Sequence, residues 1–213
     1  MRSITPNQAA RLPAASPDET FRPARWLPNA HWQTIYAATV APCPPVPMHR
    51  SRWETPDGDF IDLDWLRPPL GHDSRLPLVA LFHGLEGGSG SHYARMLMSA
   101  VAARDWRAVI VHFRGCSGEP NRLARAYHSG DAAEIDWVLQ RLRVQHRDAP
   151  LFALGVSLGG NALLKWLGEY AANSTVALNA AAAVSAPLDL IAAGMRSIRD
   201  SIAPSTPVTF CGR

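Results

Sequence analysis

Two short segments carry residue types that can do chemistry. The apolar run Leu151-Phe152-Ala153-Leu154 leads without a break into Gly155-Val156-Ser157-Leu158-Gly159-Gly160-Asn161. A serine at a sharp strand-to-helix turn is held in a strained backbone conformation with its hydroxyl aimed out of the sheet. Glycines two positions to either side, here Gly155 and Gly159, allow the close approach that such a turn needs. The N–H groups and dipole of the following helix favour developing negative charge. Ser157 is therefore the candidate nucleophile, and acyl transfer is the chemistry it would do. The competing reading is a tight turn in which serine only caps the helix; the apolar run before it and the amphipathic segment after it favour the functional one. A phosphate-cradling loop is excluded, because Gly160 is followed by Asn161-Ala162 instead of Lys and Ser or Thr.

The second segment, His83-Gly84-Leu85-Glu86-Gly87-Gly88-Ser89-Gly90, directly follows the run Leu78 to Phe82. Acyl transfer needs two N–H donors converging on the oxyanion. The residue after the serine, Leu158, supplies one, and Leu85 is the candidate for the second, with Gly84 and Gly87 freeing the loop backbone. The alternative is a flexible glycine loop before a helix that starts near Ser91. A dinucleotide fingerprint fails because Tyr93 stands at the third-glycine position. His83 reads as a loop-shaping residue, not as a base. A third stretch, Phe113 to Arg122, lies just past another apolar run, at the strand end where α/β folds build their sites, and is expected to line the pocket. Within it Cys116 reads as a small buried filler, and Ala126 to Asp131 reads as a helix start.

The elements that would position these residues are legible from periodicity. Ser51 to Glu54, a Pro56-Asp57-Gly58 turn and Phe60 to Leu66 suit an antiparallel hairpin. Four uniform apolar runs follow, Leu78–Phe82, Val109–Phe113, Leu151–Leu154 and Ala180–Val184, and each reads as a buried parallel strand. Helical faces lie between them: Tyr93, Met96, Leu97, Ala100 and Val101; Ala132, Ile135, Leu139 and Leu142; then Leu163, Trp166, Leu167 and Tyr170. Alternating strands and helices give an α/β fold, a mostly parallel sheet covered on both faces. The Pro-rich residues 1–49 are expected to be an extension that wraps a core at 50–191, with 192–213 an aberrant tail.

Composition narrows the function classes. The 213 residues are 47% hydrophobic and 18% charged, as in a folded globular domain, and the length suits one domain. The net charge of +3 is scattered, with no run of five like charges, so nucleic acid is not implied as a partner. No apolar stretch is long enough to span a membrane and residues 1–6 lack a signal-peptide core, which makes a cytoplasmic location the default expectation. Cys43, Cys116 and Cys211 are too widely spaced for a disulfide framework. His112 with Cys116 is too sparse for a metal site. No metal and no other cofactor is expected.

On these residues the chain resembles the α/β-hydrolase superfamily and, within it, the YheT-like esterase group (the AB hydrolase-4 family). The blocks that carry the resemblance run in order from Phe21 to about Leu190. They are Trp26-Leu27-Pro28-Asn29-Ala30-His31-Trp32-Gln33-Thr34, Asp57-Gly58-Asp59-Phe60, His83-Gly84-Leu85-Glu86-Gly87, His112-Phe113-Arg114-Gly115-Cys116-Ser117-Gly118, Tyr127-His128-Ser129-Gly130-Asp131, Ser157-Leu158-Gly159-Gly160-Asn161 and Ser185-Ala186-Pro187-Leu188-Asp189. The resemblance implies a serine hydrolase of carboxylic esters or acylglycerols, with a Ser, Asp, His triad in that chain order and a helical cap after the sixth strand. The chain departs from that pattern: all eight histidines, the last being His146, precede Ser157. The aspartates after it, Asp189 and Asp200, do not stand where the family's acid does. The triad Asp and His are thus not present in this chain, and a frameshifted or truncated copy lacking the cap and last two strands is the expectation. Two outcomes follow from it: an ester hydrolase of impaired activity, or an inactive fragment that at most binds acyl ligands or a partner, with self-association through an exposed sheet edge.

Overall fold

The computed structural model describes residues 22–27, 29–42, 45–67, 73–170 and 176–195. The chain divides into two units, residues 1–42 and 43–213. In the first, the helix α1 (Ala30–Thr39) starts where Asn29 Oδ1 accepts the His31 N–H at 2.8 Å, and the Trp26 ring stands edge-on to Tyr36. A ten-residue helix is more regular structure than the prolines of this region suggest.

The second unit runs β1 (Met48–Glu54), β2 (Phe60–Leu66), β3 (Leu78–Phe82), α2 (His92–Ala102), β4 (Arg107–Val111), α3 (Ala132–Gln145), β5 (Leu151–Val156), α4 (Leu158–Glu169) and β6 (Ala180–Val184). The sheet order is β1-β2-β4-β3-β5-β6. The hairpin pairs antiparallel from Met48 with Leu66 to Glu54 with Phe60, and β2 joins β4 antiparallel. All the other pairs are parallel.

The two-residue period of the strands sorts the core. Leu78, Ala80 and Phe82 pack with Ile135, Leu139, Leu163 and Trp166 of α3 and α4 on one face. Val79 and Leu81 pack with Ala94, Met98 and Val101 of α2 on the other. No helix among the described residues is long and apolar enough to cross a membrane.

Three expectations are corrected. The fourth strand begins at Arg107, two residues before the apolar run, because the register with β3 pairs Leu78 with Arg107. The buried face of α2 is Ala94, Met98 and Val101, while Met96 and Ala100 turn outward, so the helix is rotated from its apparent stripe. The run Ala180–Val184 is not buried: all five residues are exposed, and β6 is the last strand of the sheet, paired with β5.

A buried ionic cluster ties the hairpin turn to α3. Arg114 donates through Nε to Glu134 at 2.7 Å and through Nη1 to Asp57 at 2.9 Å and Asp59 at 3.0 Å. Asp59, fully buried, also accepts from the N–H groups of Phe60 and Arg122 and from Asn121. Burial works against the Asp59 charge, but these donors outweigh it and hold the carboxyl below its usual range. Replacing Arg114 strands several carboxylates in a dry site. The expected outcome for Arg114→Met is a loss of about 3–5 kcal/mol in urea unfolding, partly recovered by adding Glu134→Gln.

Candidate active site

The backbone of Ser157 sets the geometry. It sits between the last residue of β5 and the first of α4 at φ 53°, ψ −116°, a conformation that costs a non-glycine residue about 1–3 kcal/mol. Its surroundings enforce it: the Ser157 N–H donates to Val184 O at 2.8 Å, and Ser157 O accepts from Asn161 N at 3.0 Å. The flanking glycines are sterically required. A Cβ on Gly155 would lie 2.5 Å from Gly159 O and 2.6 Å from the Gly160 Cα, and one on Gly159 would lie 2.5 Å from His83 O. Gly159 therefore answers to the end of β3, not to the serine. Gly160, which the spacing argument did not single out, is also tight, since its Cβ would meet Gly155 O and the Ala186 Cβ, each at 3.0 Å.

The loop after β3 passes against this corner. A Cβ on Gly84 would lie 3.2 Å from the Ser157 Cβ and 3.8 Å from its Oγ. Gly84 N donates to the Tyr93 hydroxyl at 2.9 Å, Glu86 N to the Tyr127 hydroxyl at 2.8 Å, Gly87 N to Gly84 O at 3.0 Å and Gly88 N to Ser91 Oγ at 3.1 Å. Among the described residues, the Leu85 N–H has no hydrogen-bond partner, and neither does the Leu158 N–H in the first turn of α4. The Leu85 side chain points to solvent, 68% exposed. The structure thus brings Ser157, Gly84, Gly155 and Gly159 together and leaves free the two amides named from the sequence.

Sequence reasoning missed Tyr93 and Tyr127. Their hydroxyls accept from the amides on either side of Leu85 and so fix the loop. Tyr127 lies flat on Phe113, with ring centroids 5.3 Å apart, and burial pushes its phenol up to about 12. Nothing in their spacing marks this, because the partners stand 9 and 41 residues away.

His83 is a structural residue. Phe113 N donates to its Nε2 at 3.0 Å, so the proton sits on Nδ1 and is donated to Gly84 O at 2.7 Å. Burial, aided by the nearby His112, lowers its pKa to about 4. His112 is engaged too, with Nε2 2.8 Å from Asp64 Oδ2 and Nδ1 3.2 Å from Cys116 O. Burial opposes the Asp64 charge, but hydrogen bonds from Arg50 and His112 hold that carboxyl well below the carboxylate range.

The segment expected to line the pocket divides. Cys116, Ser117 and Gly118 border an open cleft of about 580 Å³ against residues 86–91, whereas Arg114 and Asn121 turn down into the ionic cluster. Cys116 is only half-buried, packed against the core at the cleft edge instead of filling it as expected, and burial raises its thiol pKa. Asp189 Oδ1 accepts from Ala192 N at 2.8 Å and so caps a helical stretch at 190–195. The remainder of the expected aberrant tail, residues 196–213, lies outside the described residues.

Two outcomes test this account of the loop. Tyr127→Phe removes the acceptor of Glu86 N, so amide exchange at Glu86 should quicken, with about 1 kcal/mol lost in stability. A second test uses pH. The unfolded state binds a proton on His83 below about pH 6.5 while the folded state resists until about pH 4. Stability should therefore fall on acidification through that window, by on the order of 3 kcal/mol for this residue. Urea midpoints for His83→Gln should show a shallower fall than those of the parent.

The chain is similar to known proteins in sequence and in fold. The family model described as the alpha/beta hydrolase fold matches residues 77–204. Over 190 residues the chain is 39% identical to YheT of Escherichia coli (strain K12), which is named as an esterase; the match covers 89% of this chain and 54% of that protein. It is 30% identical over 155 residues to the phospholipase ABHD3 of Homo sapiens, covering 71% of this chain and 38% of that one. The chain spans about half or less of the length of these relatives. Among solved structures, an esterase from Pyrococcus furiosus superposes with a TM-score of 0.56 at 16% identity, covering 73% of this chain and 55% of that one, a likeness of fold.

Proposed function

Because the chain belongs to the alpha/beta hydrolase fold family, we propose that its site is that of a serine hydrolase of carboxylic esters or acylglycerols, with Ser157 as nucleophile. Ser157 Oγ attacks the acyl carbon, the Leu85 and Leu158 N–H groups hold the oxyanion, the alcohol leaves, and water then releases the acid from the acyl-enzyme. The observation that carries this reading is the positive φ of Ser157 at the β5–α4 corner, with Gly84 packed against its side chain. The names of the relatives, an esterase and a phospholipase, agree with an acyl ester as substrate.

A second reading rests on the histidines. None follows Ser157, and His83 and His112 have both ring nitrogens engaged. Neither can take the serine proton without giving up a hydrogen bond. A serine whose neighbouring histidines stay so engaged works through the oxyanion hole and binding alone, at about 10³–10⁴ over water, or its site binds acyl ligands without turnover.

A fluorophosphonate probe separates the readings from the outright failure of the site. Labelling of the folded chain that disappears in Ser157→Ala, together with loss of ester hydrolysis, supports the nucleophile. Unlabelled but folded protein, or hydrolysis that survives in Ser157→Ala, overturns it. Labelling without turnover favours acyl binding over hydrolysis.

A further inference from the structure

Leu78 and Arg107 are register partners at the starts of β3 and β4. They mark the end of the parallel strands opposite the one at which Ser157 follows β5. A pocket of about 380 Å³ opens here, near the low end of the range for small-molecule sites. Trp65, Leu66, Leu78 and Ala108 give it apolar walls, and Arg107 and His146 stand among its polar groups with His49, Ser74 and Gln145.

Arg107 is 8% exposed. Its Nε and Nη2 donate to Leu76 O at 3.1 and 2.8 Å, and its Nη1 donates to His146 Nδ1 at 3.1 Å. Among the described residues it forms no ion pair. Burial lowers its hold on its proton, and the charge of Asp73, which also holds Arg75, works the other way. An arginine can only donate, so His146 Nδ1 is the acceptor and the neutral ring carries its proton on Nε2. That Nε2 is buried with no partner. Burial first, then Arg107 and Arg143, lower the His146 pKa to about 4, which keeps the ring neutral at physiological pH. One pocket therefore combines a buried guanidinium that forms no ion pair among the described residues with an unanswered N–H donor, an arrangement that a bound anion would stabilise.

We infer that this pocket binds a small monocarboxylate with an apolar body, its carboxylate paired with Arg107 and the His146 Nε2–H and its body against Trp65, Leu66 and Leu78. One arginine in a pocket with Trp65, Leu66, Leu78 and Ala108 in its walls matches a monoanion and disfavours inorganic phosphate. The site is independent of Ser157.

The test uses cyclohexanecarboxylate, its neutral amide cyclohexanecarboxamide, and phosphate, titrated into the full chain while NMR follows the Arg107 Nε–H and the His146 ring. The carboxylate should give saturable shifts at both, with the amide and phosphate weaker by about 10-fold or more. Arg107→Met should weaken the carboxylate by a similar factor. Ser74→Trp narrows the rim and leaves every Arg107 hydrogen bond in place; it should also weaken binding, and it decides the matter if Arg107→Met does not fold. Equal binding of acid and amide, shifts centred on Ser157 and Gly84, unchanged binding in Ser74→Trp, or no saturable binding would each overturn the assignment.

Discussion

Three backbone segments meet at Ser157 more closely than side chains permit: the end of β5, the first turn of α4 and the end of β3. Gly155 and Gly159 are the contact points, and a methyl group at either would overlap main-chain atoms. This steric constraint forces the chain from strand to helix in a single residue and leaves that residue at positive φ. Main-chain hydrogen bonds to Val184 O and from Asn161 N on either side sustain the strain. The same closeness sets Gly84 against the serine, so the loop after β3 and the corner after β5 form one unit.

That unit needs a rigid floor, and polar groups supply much of it. Tyrosine hydroxyls take the amides beside Leu85, and His83 bridges Gly84 O to Phe113 N across the sheet end. Further out, Arg50, which grips Asp64 and donates to Ser117 O, and Arg114, which meets Asp59, clamp the hairpin to the segment after β4. These carboxylates are costly to bury and are held ionised by bidentate or multiple donors. They anchor loops that apolar packing alone would leave free to slide, because the residues of 113–131 otherwise have no regular structure to fix them.

The two ends of the parallel strands thus differ in chemistry. At the C-terminal end, free amides and a strained serine are presented by glycine-rich turns. At the N-terminal end, a buried guanidinium and a neutral imidazole line an apolar hollow. Hydrogen bonds at the first end hold the amides on either side of Leu85 and leave that of Leu85 free, whereas at the second they hold Arg107 without an ion pair among the described residues.

The sequence by itself determined the class of fold, the hairpin, the strands at Leu78 and Leu151, and the corner at Ser157, because each rests on local periodicity and on glycines at fixed offsets. It misplaced what depends on neighbours. Arg107 enters β4 because β3 pairs with it, α2 is rotated to fit Val79 and Leu81, and the alanines of β6 look buried only until their place at the sheet edge is known. Only the tertiary structure could show Tyr93 and Tyr127 holding the loop, both His83 nitrogens in use, and Arg107 meeting His146. Those contacts join residues far apart in the chain, and hydrogen bonds of that kind leave no periodic trace in sequence.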